Sequence, residues 1–316
     1  MNILEGKVKK SVGNTYYVYL DGNRVIECNL KGNFKIKGIK STNPLAVGDN
    51  VKVQYDETHN KGLILELLDR KNYIKRRSTK LSKKVHIISS NVDQALIISS
   101  IVYPQTPLGF IDRCLLICEA YNVVSVIIFN KVDLCRDKEK EHLHKLIDIY
   151  SNMGYKCIVS STINGEGIEE IKSLINGKIT LLMGQSGAGK SSIINKIEPS
   201  LRLKTAEVSK YNDKGTHTTS FAEMHLIENN SYVIDTPGIR SFGMVDDIEI
   251  YEVSHFFRDM KKFLYGCKYS NCLHINEPGC NVIKAVEEGE ISLSRYVSYM
   301  SIIEEIKTSE PDYEKD

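Results

Sequence analysis

The tetrapeptide Asn130-Lys131-Val132-Asp133 stands upstream of the octapeptide Gly184-Gln185-Ser186-Gly187-Ala188-Gly189-Lys190-Ser191, and that order constrains the fold more than any other feature of the chain. The octapeptide is a complete G-x-x-x-x-G-K-S loop. An apolar run, 179–183, precedes it and a helical pattern begins near Lys190, the strand-loop-helix setting in which backbone N–H groups wrap phosphates. Lys190 then reaches the outer phosphates as a point charge, and the Ser191 hydroxyl offers Mg²⁺ the hard oxygen it prefers, with Ser192 beside it in the first helical turn. Ordinarily the phosphate loop comes first. The reversed order requires a chain cut and rejoined, which compact domains tolerate because their ends lie close together.

The tetrapeptide chooses the base. A carboxylate at Asp133 accepts from N1-H and the 2-amino group of guanine, whereas adenine would leave it unpaired. Asn130 braces the loop and Lys131 lays its stem on the base, with Val132 between them. Ser160-Ser161-Thr162 follows a strand-like run, 155–159, where a backbone N–H can meet the guanine oxygen. Asp235-Thr236-Pro237-Gly238 follows another, 232–234; Asp235 is expected to hold Mg²⁺ through water and the Gly238 N–H to sense the γ phosphate. Between the last two groups lies Gly215-Thr216-His217-Thr218-Thr219, a switch in which Thr218 or Thr219 joins the metal. The five elements run four, five, one, two, three around a consistent cycle, which predicts a circularly permuted P-loop domain for GTP. The residue after Asp-x-x-Gly is Ile239, whose side chain cannot orient water, so His217 is the candidate catalytic group.

Charge divides the chain further. Residues 1–90 hold 18 Lys plus Arg against 8 Asp plus Glu, although the whole chain has a net charge of only +2. Arg70, Lys71, Lys75, Arg76 and Arg77 open a basic stretch without acids that runs to Lys84, and Lys31, Lys35 and Lys37 surround Phe34. Such clusters attract phosphate backbones, and these nine residues are candidate RNA contacts. Short strand-like pieces with turns at Gly13-Asn14, Asp21-Gly22 and Gly48-Asp49 suit an oligonucleotide-binding (OB) or SH3-like barrel. Tyr16, Tyr17, Tyr19 and Phe34 are its candidate stacking surfaces.

Of eight cysteines, Cys28, Cys114, Cys118, Cys135 and Cys157 fall singly on core-like segments. Cys267, Cys272, His274 and Cys280 instead cluster as three thiolates and one imidazole, a closed set for one structural Zn²⁺, with His255 a rival ligand. Their flanks, 248–257 and 283–306, read as helical. The chain thus reads as multidomain α/β: a barrel over 1–70, a basic linker over 71–84, the permuted domain over 85–243, and a mostly helical zinc-binding segment over 244–316 with an acidic tail. Without a signal-peptide core or a run of membrane-spanning length, a cytoplasmic protein without membrane contact is expected, and it is expected to be a monomer.

Asn91-Val92-Asp93-Gln94, the five nucleotide elements and the four zinc-ligand candidates, flanked by these two domains, resemble the bacterial family of ribosome small subunit-dependent GTPase A (RsgA). The resemblance covers roughly residues 1–306. It implies GTP hydrolysis to GDP and phosphate, slow alone and stimulated by the 30S ribosomal subunit, late in that particle's maturation. The partners implied are the 30S subunit and its rRNA, with GTP and GDP as ligands; His217 matches the family's catalytic histidine. A guanine pocket also makes ppGpp a candidate ligand in place of GDP. Two positions depart from the family pattern. Thr216 stands where the family carries arginine, and Ser160-Ser161-Thr162 replaces a typical Ser-Ala. A competing expectation is an RNA-binding scaffold regulated by guanine nucleotide with negligible hydrolysis, for which the missing glutamine is the argument.

Overall fold

Alternation along the first strands wraps them round a common core: in β4 (Asn50–Asp56) Val51, Val53 and Tyr55 are buried while their neighbours are half-exposed. The computed structural model describes residues 2–32, 34, 43–77, 85–205, 222–236 and 248–309, the Arg76 and Arg77 side chains excepted. Expectations for Lys35, Lys37, His217, Thr218, Thr219, Gly238 and the tail beyond residue 309 lie outside the described residues, whereas residues 304–309 of the expected acidic tail are helical.

β1 (Asn2–Val12), β2 (Thr15–Tyr19), β3 (Val25–Leu30), β4 and β5 (Lys61–Leu67) pair in the order β1-β2-β3-β5-β4, and β4 returns to β1. The β3–β5 pair is parallel and the others are antiparallel. A meander yields only antiparallel neighbours, so this is the Greek-key closure of an oligonucleotide-binding barrel. Two expected stacking tyrosines are withdrawn from the surface. Tyr16 points into the barrel core; Tyr19, on the opposite face, packs against the neighbouring domain and donates its hydroxyl to the Met224 carbonyl at 3.2 Å. Phe34 also packs against the barrel core.

The stretch expected to be a basic linker contains β6 (Tyr73–Arg77), which pairs antiparallel with β7 (Val85–Ser90). Arg70 is turned inward. Its Nε and Nη2 donate to the two oxygens of Asp49, each at 2.6 Å, and Asp49 is fully buried and accepts again from Ser90 Oγ at 2.6 Å. The fork takes the Nε–Nη2 edge of the guanidinium, and with the side chain only 10% exposed the remaining N–H groups offer little surface to a phosphate. The interface is tight: a Cβ on Gly48, at φ +93°, would lie 2.2 Å from the Ser90 carbonyl oxygen. Asn91 completes the joint, donating to the Gly48 carbonyl at 2.9 Å and accepting from the Lys71 N–H at 2.8 Å.

β8 (Gln94–Ser100), β9 (Val124–Asn130), β10 (Lys156–Ser160), β11 (Ile179–Met183), β12 (Glu223–Ile227) and β13 (Ser231–Asp235) form the central sheet in the order β10-β9-β8-β11-β13-β12. Only β12 runs antiparallel. β8 is buried at every residue because helices cover both faces, the rule for parallel strands. α3 (Ile168–Ile175) and α4 (Lys190–Ile197) cover one face; α1 (Leu108–Ala120) and α2 (Asp137–Asn152) cover the other.

The C-terminal segment adds α5 (Arg258–Lys261), α6 (Asn281–Glu287) and α7 (Leu293–Ser309). The helix expected over 248–257 is only a 3-10 turn at Val253–Phe256, and Gly289, at φ +76°, lies in the break between α6 and α7. This segment shares the core of α1 and α2. Arg295 is its pin, 2% exposed, donating to Asp112 of α1 at 2.6 Å and to Asp259 at 3.0 and 3.1 Å, with its guanidinium over the Phe257 ring. Arg295→Met strands Asp112 as a buried, unpaired charge, so a loss of about 3–5 kcal/mol is expected in urea unfolding.

Candidate nucleotide site and candidate metal centre

The carboxyl ends of β9, β10, β11 and β13 lie along one edge of the sheet, where open α/β folds gather ligand loops. The tetrapeptide, the serine pair, the octapeptide and Asp235 occupy those ends, so elements far apart in sequence become neighbours. Asn130 joins three of them: its Nδ2 donates to the Ala188 carbonyl at 2.9 Å, and its Oδ1 accepts from Ser160 Oγ at 3.1 Å. The fit leaves no room for a side chain at Gly189. A Cβ on Gly189, at φ +102°, would lie 2.2 Å from Asn130 Nδ2.

Ser161 Oγ donates to the Asp133 carboxylate, fixing its orientation. The Ser161 N–H donates to the Glu166 carbonyl at 3.0 Å, so both serines act as braces. Lys131, in the left-handed conformation at φ 66°, donates through Nζ to the Tyr103 carbonyl at 2.6 Å. Val132 is partly buried against the core. Tyr103 gave no signal in the sequence, because its contribution is a backbone carbonyl.

Lys190 Nζ donates to the Gly184 and Gln185 carbonyls at 2.7 and 3.0 Å. Burial lowers its pKa, and Asp235 opposes that shift. Gln185, Ser186 and Gly187 form the body of the loop, and Ser191 and Ser192 lie in the first turn of α4. Asp235 Oδ1 is buried without a hydrogen-bond partner among the described residues, as suits a carboxylate that completes its contacts on a hydrated cation.

The candidate metal centre is separate. The ligand atoms of Cys267, Cys272, His274 and Cys280 lie within 4.8 Å of one another. Cys267 Sγ is 3.9 Å from Cys280 Sγ and 3.6 Å from His274 Nδ1, which is 3.3 Å from Cys280 Sγ. A tetrahedron of sulfurs about 2.3 Å from zinc has edges of about 3.8 Å, so the cage fits such an ion. Burial raises the Cys272 thiol to about 12 and also raises Cys280, so a metal must displace their protons. Tyr296 and Tyr299 of α7 clamp the cage from outside, donating to the His274 and Leu273 carbonyls at 2.7 and 2.8 Å. His255 is not part of the cluster.

A family model for the RsgA GTPase matches residues 67–245, and one for the RsgA N-terminal domain matches residues 5–64. The chain belongs to the RsgA GTPase family. Small ribosomal subunit biogenesis GTPase RsgA of Bacteroides fragilis is 47% identical over 302 residues, 96% of this chain and 97% of that protein. The protein of the same name from Flavobacterium johnsoniae is 44% identical over 303 residues, 95% of this chain and 93% of that one. Among solved structures, YjeQ from Thermotoga maritima superposes with a TM-score of 0.77 at 31% identity, covering 97% of this chain and 99% of that one. YloQ, a circularly permuted GTPase, gives 0.73 at 30% identity over 99% and 98%. As an RsgA-family member the chain is a GTP hydrolase with a permuted G domain, and its four-ligand cluster can hold a metal ion. Among the described residues no helix is long and apolar enough to cross a membrane.

Proposed function

We propose that this chain hydrolyses GTP slowly alone and faster on the small ribosomal subunit, acting late in that particle's maturation in the cytoplasm as a monomer. The observation that carries the reading is the Asn130 bridge: one side chain binds the phosphate loop and the serine pair that braces the base loop together, as a guanine site requires. Asp133 reads the N1-H and 2-amino edge. With the Ser161 N–H engaged, the next amide, Thr162, is the donor for the guanine oxygen. The loop amides from Gly184 to Gly189 and Lys190 hold the phosphates, Ser191 with Thr218 or Thr219 and Asp235 hold Mg²⁺, and the Gly238 N–H meets the γ phosphate. The ion supplies neutralisation of charge on the phosphate oxygens. His217 is assigned to position the attacking water when the partner is bound. The same pocket accepts ppGpp in place of GDP.

Relatives named for small ribosomal subunit biogenesis, with a Greek-key oligonucleotide-binding barrel, support rRNA as the partner. Lys31, Lys71, Lys75, Arg76 and Arg77 remain candidate contacts with Lys35, Lys37 and Phe34; Lys71 also pairs with Asp93 at 2.7 Å. The Cys267, Cys272, His274 and Cys280 cage is assigned to one structural Zn²⁺.

Phosphate release is expected to rise only with small subunits, among small, large and joined particles, and to fall as salt is raised. His217→Ala is expected to lose most of that stimulated rate while keeping nucleotide affinity. Equal turnover with every particle refutes the partner, and an unchanged stimulated rate in the variant refutes His217.

A further inference from the structure

Two carboxylates face each other beside the phosphate loop. Glu223 on β12 is the register partner of Asp235 on β13, and directly opposed residues of an antiparallel pair share a face with Cβ atoms about 4.5–5.5 Å apart. Like charges so placed repel. The countercharge comes from the barrel: Lys10 on β1 is the register partner of Glu223, its Nζ lies 3.0 Å from Oε2, and Lys9 Nζ bonds Oε1. Successive strand residues normally point to opposite faces, but the register of β1 shifts between Val8 and Lys10, which re-aims both ammonium groups at one carboxylate. Burial raises the Glu223 carboxyl and the two lysines outweigh it, leaving the group below its ordinary value. His225, two residues along, is held low by burial and adds no positive charge at neutral pH; Lys190 faces Asp235 from the loop side.

We propose that Lys9, Lys10 and Glu223 form a positioning triad that couples RNA phosphate at the barrel to the cation affinity of the nucleotide site. The lysine side chains are 19% and 32% exposed, open enough for a phosphate to compete for them. When it does, the Glu223 charge stands uncompensated beside Asp235 and strengthens the hold on Mg²⁺. By reciprocity, the metal-loaded nucleotide strengthens RNA binding by the same factor. The inference rests on the assignment of Asp235 to Mg²⁺ given above.

The test is the free Mg²⁺ concentration that half-saturates binding of a fluorescent GDP by the full chain. Lys9→Met with Lys10→Met is expected to lower it about three- to tenfold and Glu223→Gln to raise it by a similar factor, the scale of one charge at this distance in a screened site. Affinity for the same nucleotide in EDTA, and the melting temperature, should change little in the conservative Glu223→Gln variant. A merely structural β1–β12 contact would move both variants the same way, so shifts of equal sign, or none, overturn the triad. A short single-stranded RNA should lower the wild-type value and leave the lysine variant unmoved; RNA that binds without shifting it overturns the coupling. If Asp235→Asn leaves the Mg²⁺ dependence of the wild type intact, the assignment of Asp235 has failed instead.

Discussion

Asp133→Asn is expected to weaken GTP and GDP binding by about four orders of magnitude, equivalent to about 5.5 kcal/mol. The variant keeps the shape of the loop, because Asn130 still bridges to Ala188 and Ser160 and Ser161 still braces residue 133. It changes only the sense of the hydrogen bonds. An amide N–H turned toward N1-H and the 2-amino group sets donor against donor, leaving buried groups without partners. Xanthine carries an oxygen at position 2, so the same amide regains an acceptor and xanthosine diphosphate should bind the variant better than GDP. Competition against a fluorescent nucleotide checks both arms. Unchanged GDP affinity would remove Asp133 from the site.

Cys280→Ser is expected to empty the metal centre, lowering bound zinc from one per chain to none and unfolding the segment around it. Structural zinc contributes about 10–16 kcal/mol to small metal-dependent folds, as much as a typical domain's entire stability. Cys280 has two structural tasks, since its Sγ also accepts the Ile283 N–H at 3.4 Å to cap α6. Loss of the cage releases the carbonyls of Leu273 and His274 that Tyr299 and Tyr296 bind, and thereby loosens α7 from α1. The expected readouts are zinc content, amide protection over residues 267–283 and a lower melting temperature, each reproduced in the wild type by a strong chelator. Full protection in a zinc-free variant would show that the Arg295 network and the shared core hold the segment by themselves.

Local chemistry was the legible part. Gly184 to Ser191, Asn130 to Asp133 and the four-ligand cluster each carry residue types whose spacing is dictated by a phosphate, a base or a tetrahedral ion, so they are visible without knowing where the chain goes. The barrel was visible as alternation but not as topology, because register and the parallel β3–β5 pair depend on contacts between distant strands. Arg70 reads as a phosphate contact in a basic run; only the approach of the buried Asp49 makes it an internal fork. The same holds for Tyr19, exposed by alternation on an isolated barrel and buried once β12 lies beside it.

The sequence by itself therefore marked the residue sets suited to a guanine nucleotide and to a metal ion, and the permuted order of the first set. Tertiary structure alone decided which of those side chains brace one another, and it alone set Glu223 between the barrel lysines and Asp235. The physical reason is that a motif encodes the chemistry of one contact, whereas burial, register and charge compensation are properties of pairs that the chain brings together only when folded.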